Sequence, residues 1–528
     1  MRQSVDIKKI NSNINTIYIW ELRLLCITSI FEIVFFPSWQ GIYAICIAFF
    51  CLFIHKKTIL NAYNLLLYPA STLAISFYVF FFSFLPIPAT LLEQKPVTYN
   101  LHSTVNTFSN ILILELILIF IHFIYKRLTL KRNLIREILS RLNFYTKVSS
   151  NELWILIIIS SILWGFIILK YGLYTENNTN SYSELPIGLY LLNLLTSGYY
   201  SVLFIFMMPK FNIIKQPYTI QIWKIIFLTI GLFIVGISTN MRTASVMVVA
   251  NAFFLLAVYI LYYPPNYKKF IKPKTIILSL LLVYFFTGPF MLISKAMVEI
   301  RGNRSGKSGI EIIEMTSEYI QNSSERNYKS KSIKESSIFW DEKYLDNDIL
   351  NRFCSVKILD ETLFHANRIG YANPIMQKYF ILKILDSLPG VIKDFFNINI
   401  SENIRSASLT DILYSLSINS SSAIGGVKIG TLQGLGLAIF GYWYILVLIP
   451  VFIIIFYFLD ATITFNYKFK EIHFSLWFFV NIISVCYYFS DRHYYLYEFR
   501  YILRTYFESI AFYLITINLI KKLPFIKH

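Results

Sequence analysis

The amino-acid sequence predicts an all-α, polytopic membrane protein with about 12 transmembrane helices. Three observations favour this fold class. The 528 residues are 56% hydrophobic and only 15% charged, and their mean hydropathy is +0.56, whereas soluble domains are much more polar. Apolar runs recur along the chain, and basic residues flank these runs. No nucleic-acid partner is predicted, because a nucleic-acid footprint needs basic residues clustered on a soluble face.

Nine apolar runs precede the one long polar interval of the chain. They lie at residues 18–36, 41–54, 59–86, 109–125, 153–170, 187–208, 224–238, 244–263 and 275–294. Three further runs follow the interval, at residues 431–459, 472–490 and 501–520. Each run is a candidate for a span of ~20 residues. Pro37–Gln40 form a turn that lets the first two runs pair as a hairpin.

The runs divide the chain into three predicted segments. Residues 1–294 form an N-terminal membrane bundle of about nine spans. Residues 295–430 form a large, partly helical loop, and residues 431–528 form a C-terminal group of about three membrane helices. The polar N-terminus leads into apolar sequence without a small-residue cleavage site, which is typical of a retained anchor rather than a signal peptide.

The distribution of charge predicts the orientation in the membrane. The interval 295–430 carries seventeen basic and sixteen acidic residues, so the net charge of +18 lies almost wholly elsewhere. Basic residues concentrate in alternate links, at 55–58, 126–150, 209–223, 264–274 and 460–471 and in the C-terminal tail. The positive-inside rule places these links and both termini in the cytoplasm. The interval and the link 87–108 then lie on the outer side of the membrane.

The polar interval contains two patterns with alternative interpretations. From residue 352 to residue 396, apolar residues return at helical spacing. This pattern predicts helices that lie at the outer interface of the membrane or pack against neighbouring spans. Gly426, Gly430 and Gly434 recur every four residues, which favours close packing of another helix, with room for a lipid chain or sugar as the alternative.

Two familiar kinds of site are not predicted. The five cysteines have no metal-ligand spacing, and Cys354 stands alone in the polar interval, so no metal site and no disulfide within that interval are expected. Residues 302–308 resemble a phosphate-binding loop, but only three residues separate the glycines and no strand precedes them. We interpret this segment as a flexible polar loop.

Arginines at the outer ends of spans indicate an anionic ligand. The short link Ser238–Thr243 carries Arg242 on the predicted outer side, against the orientation rule. Four further arginines belong to the interval or to the last span: Arg352, Arg368, Arg500 and Arg504. Because a planar guanidinium binds phosphate oxygens in pairs, we predict that these five residues bind a lipid-linked diphosphate. The alternative for Arg242 is a side chain that reaches the lipid headgroups.

These features together resemble a family. The chain resembles bacterial O-antigen and capsule repeat-unit polymerases of the Wzy type. The features that carry the resemblance are many spans joined by basic links, an outward arginine in Gly236–Thr243, a large late outer loop with Arg352–Phe353 and Arg368, a glycine-rich return to the membrane and a few closing spans. These polymerases are related to the O-antigen ligases. In the family motif of a small residue, Ser, Arg and Gly, Arg242 is the position that this chain matches.

The resemblance implies a GT-C-like membrane glycosyltransferase of lipopolysaccharide or capsule polysaccharide biosynthesis. It implies polymerisation of undecaprenyl-diphosphate-linked oligosaccharides at the periplasmic face, with the lipid bilayer and a chain-length regulator as partners. No metal, nucleotide or other cofactor is implied. Such glycosyl transfer requires stabilisation of the departing diphosphate and a base for the acceptor hydroxyl.

The candidates for the base are two groups of titratable residues. The first is Asp360 and Glu361 with His365, and the second is Asp491 with His493. The alternative for each of these side chains is an ordinary solvated or ion-paired group.

A repeat-unit flippase or another multipass lipid-linked sugar transporter is the alternative function. Such transporters have halves of similar layout, whereas the long interval here has no counterpart in the first half of the chain. A glycosyltransferase that uses polyprenyl monophosphate sugars is disfavoured, since its first outward loop usually carries acidic residues and Pro37–Gln40 contain none.

Overall fold

The fold is that of a computed structural model, which describes residues 7–129, 133–149, 151–159, 254–263, 309–323, 339–388, 390–401, 407–421, 428–466, 471–481, 499–522 and a few isolated positions. The chain divides into two compact units. The first unit comprises residues 1–145, 337–478 and 483–511, and the second comprises residues 146–336, 479–482 and 512–528. The first unit therefore groups by contact the first 145 residues with much of the polar interval and with residues that follow the interval.

The described part of the chain is mostly helical. Before the polar interval lie α1 (Ile7–Phe35), α2 (Trp39–Thr58), α3 (Ala62–Leu67), α4 (Pro69–Val79) with a π-helical turn (Phe80–Phe84), α5 (Pro86–Leu92), α6 (Thr104–Thr129) and α7 (Leu134–Arg141). The interval contains α8 (Gly309–Ser323), α9 (Asp348–Phe353), α10 (Val356–Ile369), α11 (Pro374–Ser387), α12 (Gly390–Phe395) and α13 (Leu409–Ile418). The helices predicted between residues 352 and 396 are thus confirmed.

The C-terminal part combines helices with one small sheet. It contains α14 (Leu432–Phe440), a 3₁₀ turn (Gly441–Trp443), α15 (Tyr444–Asp460), β1 (Ile463–Asn466), β2 (Glu471–Phe474), α16 (Leu476–Val480), a π-helical turn (Tyr501–Thr505) and α17 (Tyr506–Lys522). The two strands are antiparallel, with Ile463 opposite Phe474. The run predicted to begin a span at residue 472 therefore begins in a strand, because alternating polar and apolar residues in Glu471–Phe474 suit a half-buried strand.

Three helices of the described chain are long and apolar enough to cross a membrane: Trp39–Thr58, Thr104–Thr129 and Leu432–Asp460. A fourth candidate is the pair Pro69–Phe84 and Pro86–Leu92, which bends by 43°. These helices support a membrane protein, and the predicted total of about 12 spans stays a prediction. The run 59–86 is not one helix, because Pro69 and Pro86 each begin a new helix, where proline is tolerated.

Helices α2 and α6 run side by side in the same direction. Near their beginnings the Tyr43 and Ser109 hydroxyls share a 2.7 Å hydrogen bond. Near their ends a cavity of about 280 Å³ is lined by residues of both helices, including Thr58 and Lys126. Both helices end in basic residues, so their basic ends lie together, as the charge pattern requires. We call this the basic end of the first unit.

Aspartate 460 fixes the start of α4 at the basic end. Its carboxylate accepts hydrogen bonds from the backbone amides of Ala70 (2.7 Å) and Ser71 (3.2 Å) and from the Ser71 hydroxyl (2.6 Å). The Arg136 guanidinium donates to the Asp460 carbonyl at 2.8 Å. An acidic side chain is favourable at a helix N-terminus, where amides lack intrahelical partners. The contact joins segments 390 residues apart in the chain.

The glycine stripe packs against other helices. A Cβ atom on Gly434 would lie 2.5 Å from Thr362 Cγ2 and 2.8 Å from the Thr362 backbone carbonyl carbon. A Cβ atom on Gly430 would likewise collide with the Thr410 side chain. The packing interpretation of Gly430 and Gly434 is therefore confirmed, and Gly426 lies outside the described residues.

Candidate active site

The polar link between α5 and α6 docks onto the long polar interval. The Tyr344 hydroxyl donates to the Val97 carbonyl at 2.6 Å, and Tyr344 is fully buried. Lys95 forms ion pairs with Glu93 (3.0 Å) and Asp346 (2.8 Å). Hydrogen bonds from Lys343 and Lys95 lower the pKa of Asp346 to about 2. Two segments that the charge pattern assigns to the same side of the membrane are thus in contact, at the end of α6 opposite the basic end.

Aspartate 360 caps α6 from outside that helix. Its carboxylate accepts hydrogen bonds from the backbone amides of His102 (2.7 Å) and Ser103 (3.1 Å) and from the Thr107 hydroxyl (3.0 Å). The Lys357 ammonium lies 3.3 Å from the same carboxylate. Because these donors occupy its lone pairs, the buried Asp360 side chain positions α6 and does not serve as a free base.

Glutamate 361 lies at the centre of a buried charge network. Its Oε1 atom is 2.6 Å from the Lys357 ammonium and 3.0 Å from His102 Nε2. Its Oε2 atom is 3.3 Å from His365 Nε2, at ion-pair distance but poorly aligned for a hydrogen bond. Burial alone would raise the pKa of Glu361, but the two histidines and Lys357 outweigh burial and lower the pKa from 4.5 to about 2. Glu361 is therefore ionised at neutral pH. We call these five side chains (His102, Lys357, Asp360, Glu361 and His365) the His102 cluster.

Histidine 365 is enclosed on all sides. Its Nδ1 atom shares a 2.7 Å hydrogen bond with the Ser417 hydroxyl. Its ring stacks on Trp340 and meets the edge of Tyr414, with ring centroids 5.2 and 5.1 Å away. The side chain has no exposed surface, so no substrate reaches it in this arrangement. Its role in the cluster is to support Glu361.

Histidine 102 is the member of the cluster that faces solvent. Its side chain is 22% exposed, whereas the Lys357, Asp360, Glu361 and His365 side chains are at most 2% exposed. The imidazole stacks on Phe364 with a centroid separation of 3.9 Å. Sequence reasoning missed His102, because the only local signal was a polar His102–Ser103 pair before an apolar run, and its partners lie more than 250 residues away.

The geometry of the cluster suits a histidine base held by a carboxylate. A buried, ionised carboxylate that bonds one imidazole nitrogen fixes the ring and stabilises the imidazolium that forms when the other nitrogen accepts a proton. Ligand atoms of His102, Asp360 and Glu361 lie within 4.8 Å of one another, as in a metal site. The Lys357 ammonium already supplies a cation between the two carboxylates, so the donor set fits an ion-pair network better than a metal.

The predicted arginines are distributed over several places. Arg352 on α9 is half-buried, and Arg368 on α10 is exposed. Arg368 follows Glu361 by seven residues, which places both on the same helical face about 10 Å apart along the axis. Arg500 is exposed. Arg242, Asp491 and His493 lie outside the described residues.

Arginine 504 is not brought to the His102 cluster. Its Nε atom forms a 2.7 Å ion pair with Glu508. The neighbouring Tyr506 donates a hydrogen bond to the Phe458 carbonyl, two residues before Asp460. This contact lies at the basic end of the first unit, and α6 between the two ends is about 39 Å long. The predicted diphosphate role of Arg504 stays a prediction, without support from this placement.

No family model, curated protein or solved structure matches the chain.

Proposed function

We propose that the chain is a membrane glycosyltransferase that polymerises undecaprenyl-diphosphate-linked oligosaccharide repeat units at the outer face of the bacterial cytoplasmic membrane. The observation that carries the proposal is the His102–Glu361 pair, in which a solvent-facing imidazole is held by a buried carboxylate. Glycosyl transfer from a diphosphate has a good leaving group, so the principal proton transfer is removal of a proton from the acceptor hydroxyl. In this proposal His102 accepts that proton and Glu361 orients the ring.

The position of the pair supports an outward-facing site. The cluster lies at the beginning of α6, where Asp360 caps the helix. The basic residues Lys126 and Arg127 lie at the opposite end of the same helix. The positive-inside rule assigns that basic end to the cytoplasm, and the cluster then faces the compartment in which lipid-linked repeat units are polymerised.

Arginine 368 is the proposed ligand of the departing diphosphate. It is exposed on the same face of α10 as Glu361, about 10 Å further along the helix, and this spacing leaves room for a sugar between base and diphosphate. A guanidinium stabilises the charge that develops on a leaving diphosphate, and a lysine would lose the paired contact. Arg352, Arg242 and Arg500 remain further candidates in this proposal.

The test uses strains that carry single variants and a gel of the cell's surface polysaccharide. We expect His102→Ala, Glu361→Gln and Arg368→Ala each to replace the ladder of long chains by single-repeat product, with normal amounts of protein in the membrane. Arg368→Lys is expected to impair the ladder as well. Arg127→Ala, at the basic end, is the matched arginine control and is expected to leave the ladder unchanged. A normal ladder in His102→Ala would contradict the proposal.

The same strains separate the polymerase from the alternative of a flippase. A polymerase defect accumulates single-repeat lipid-linked material on the periplasmic side. A flippase defect accumulates it on the cytoplasmic side, where a glycosidase added to spheroplasts does not reach it. Protection of the accumulated repeat unit in the His102→Ala strain would therefore favour the transporter.

A further inference from the structure

A line of buried titratable side chains runs between α2 and α6, away from the His102 cluster. Glu115 lies on α6 about 17 Å from its first residue and about 21 Å from its last, close to mid-depth of the span. The Glu115 side chain is fully buried, and neither carboxyl oxygen has a nitrogen or oxygen partner among the described residues. The Cys51 thiol of α2 is within hydrogen-bond reach of Glu115, but a thiol is a weak donor.

Two histidines continue this line toward the basic end. His122 follows Glu115 by two turns of α6, and His55 follows Cys51 by one turn of α2. Both imidazoles are buried, at 1% and 4% exposure, and none of their four ring nitrogens has a hydrogen-bond partner among the residues that the structure describes. His55 and His122 are close enough to interact electrostatically. The face of α6 that packs on α2 thus carries a carboxyl and an imidazole in succession.

A cavity connects His122 with the basic end. Its volume is about 280 Å³, and His122 lines it together with Thr58 and Lys126. The Lys126 ammonium at its edge donates to Asn64 at 2.9 Å. The other residues that line it, Ile59, Leu116, Ile119, Phe120 and Phe123, are apolar. The cavity therefore places His122 beside Lys126 and Thr58, which belong to the basic end.

The surroundings of these groups favour protonation of the carboxyl. Glu115 faces Cys51 on α2, Tyr78 on α4 and, through Cys51, Ser83 in the π-helical turn, and none of these is a cation. His122 faces His55, Lys126, Tyr68, Tyr125 and Phe456. A carboxylate without a cation or hydrogen-bond donors inside a membrane bundle is far less stable than the neutral acid.

We propose that Glu115 is an intramembrane proton-binding site, connected with the compartment at the basic end through His122, His55 and the cavity beside Lys126. The ligand is the proton itself, which moves between the carboxyl and the imidazoles through hydrogen-bonded water. Chains of Glu and His inside membrane bundles are typical of proton relays, and a π-helical turn beside such a group is typical of functional sites. Polymerisation at the His102 cluster does not require this site, so the inference is independent of the proposed function.

The test follows the infrared carbonyl band of protonated carboxyl groups in the full-length protein in lipid nanodiscs. We expect a band at neutral pH that is absent from Glu115→Gln and that shifts rapidly on transfer to D₂O. In a His55→Leu, His122→Leu variant the band should persist, with its exchange slowed by at least about tenfold. The pair His55→Gln, His122→Gln keeps polar atoms without a titratable ring and should slow exchange in the same way, so a folding defect of the leucine pair does not decide the result.

The matched control is Glu32→Gln. Glu32 is equally buried, but its Oε1 atom accepts a 2.7 Å hydrogen bond from the Val97 amide, so this change should leave the Glu115 band and its exchange unaltered. Identical carbonyl spectra of the wild-type protein and Glu115→Gln would overturn the proton-binding site. Exchange as fast in both histidine pairs as in the wild-type protein, or no exchange in the wild-type protein over hours, would overturn the connection to the basic end.

Discussion

Replacement of Asp360 by alanine should destabilise the first unit strongly, because the carboxylate has three donors and a lysine around it. Without it, the His102 and Ser103 amides and the Thr107 hydroxyl lose their acceptor. An unpaired buried donor costs about 1–3 kcal/mol, and the two amides lie at a partly exposed helix end, so the lower value applies to them. With the loss of the favourable charge at the α6 N-terminus, the expected cost is about 4 kcal/mol.

Thermal unfolding of the purified protein in detergent, followed by tryptophan fluorescence at pH 7, measures this cost. A change of about 4 kcal/mol corresponds to a decrease in Tm of roughly 4–6 °C for a unit of this size. Asp360→Asn keeps one acceptor oxygen and should give about half of that decrease. The control is Asp346→Ala, which also removes a carboxylate from two lysines, but Asp346 is 61% exposed and its pairs contribute at most about 1 kcal/mol. Equal Tm values for Asp360→Ala and Asp346→Ala would refute the capping role.

Two further predictions concern the centre of the cluster and the helix packed behind it. The pKa of Glu361 is lowered from 4.5 to about 2 in the folded protein, so its ionisation contributes up to about 3 kcal/mol to the free energy of unfolding. This contribution is complete above pH 4.5 and is lost as the pH falls toward 2. The difference in Tm between the wild-type protein and Glu361→Gln should therefore shrink over this range, and a constant difference would contradict the assignment. Gly434→Ala should lower the free energy of unfolding by about 1–3 kcal/mol, since its Cβ would lie 2.5 Å from Thr362. The control is Gly231→Ala, where a Cβ would meet nothing within 4 Å. Equal Tm values for the two variants would show that α14 shifts to accommodate the methyl group.

Hydropathy predicted the long apolar helices correctly. It did not predict the structure of two other apolar runs, in which prolines or alternating polar and apolar residues prevent one continuous helix. The runs at 41–54, 109–125 and 431–459 correspond to α2, α6 and the helix Leu432–Asp460. The runs at 59–86 and 472–490 are equally apolar, but each contains residues that interrupt a continuous helix. Pro69 and Pro86 restart the chain as separate helices, and Glu471–Phe474 pair as a strand.

The candidate site was predicted in part. Asp360, Glu361 and His365 stood out because acidic residues and a histidine occur together on one amphipathic helix, and the structure shows them in one cluster. Their separate roles depend on partners that no local pattern reveals. Asp360 is engaged by backbone amides of His102 and Ser103, and Ser417 holds His365 from another helix. Since backbone amides carry no sequence signal, the capping role was not predictable.

In the proposed reaction, the net charge of the cluster changes when His102 accepts a proton. Lys357 supplies one positive charge against the two negative charges of Asp360 and Glu361, so the cluster with neutral imidazoles carries one net negative charge. Charges in such a buried site are weakly screened, and an imidazolium neutralises the excess. Among the described members of the cluster, Asp360 lacks a free lone pair, and Glu361 and His365 lack access, so the proposal assigns the proton to His102. In the proposed reaction, proton transfer from an acceptor hydroxyl to His102 converts a charged buried network into a neutral one, which is the change that would stabilise the transition state of that transfer.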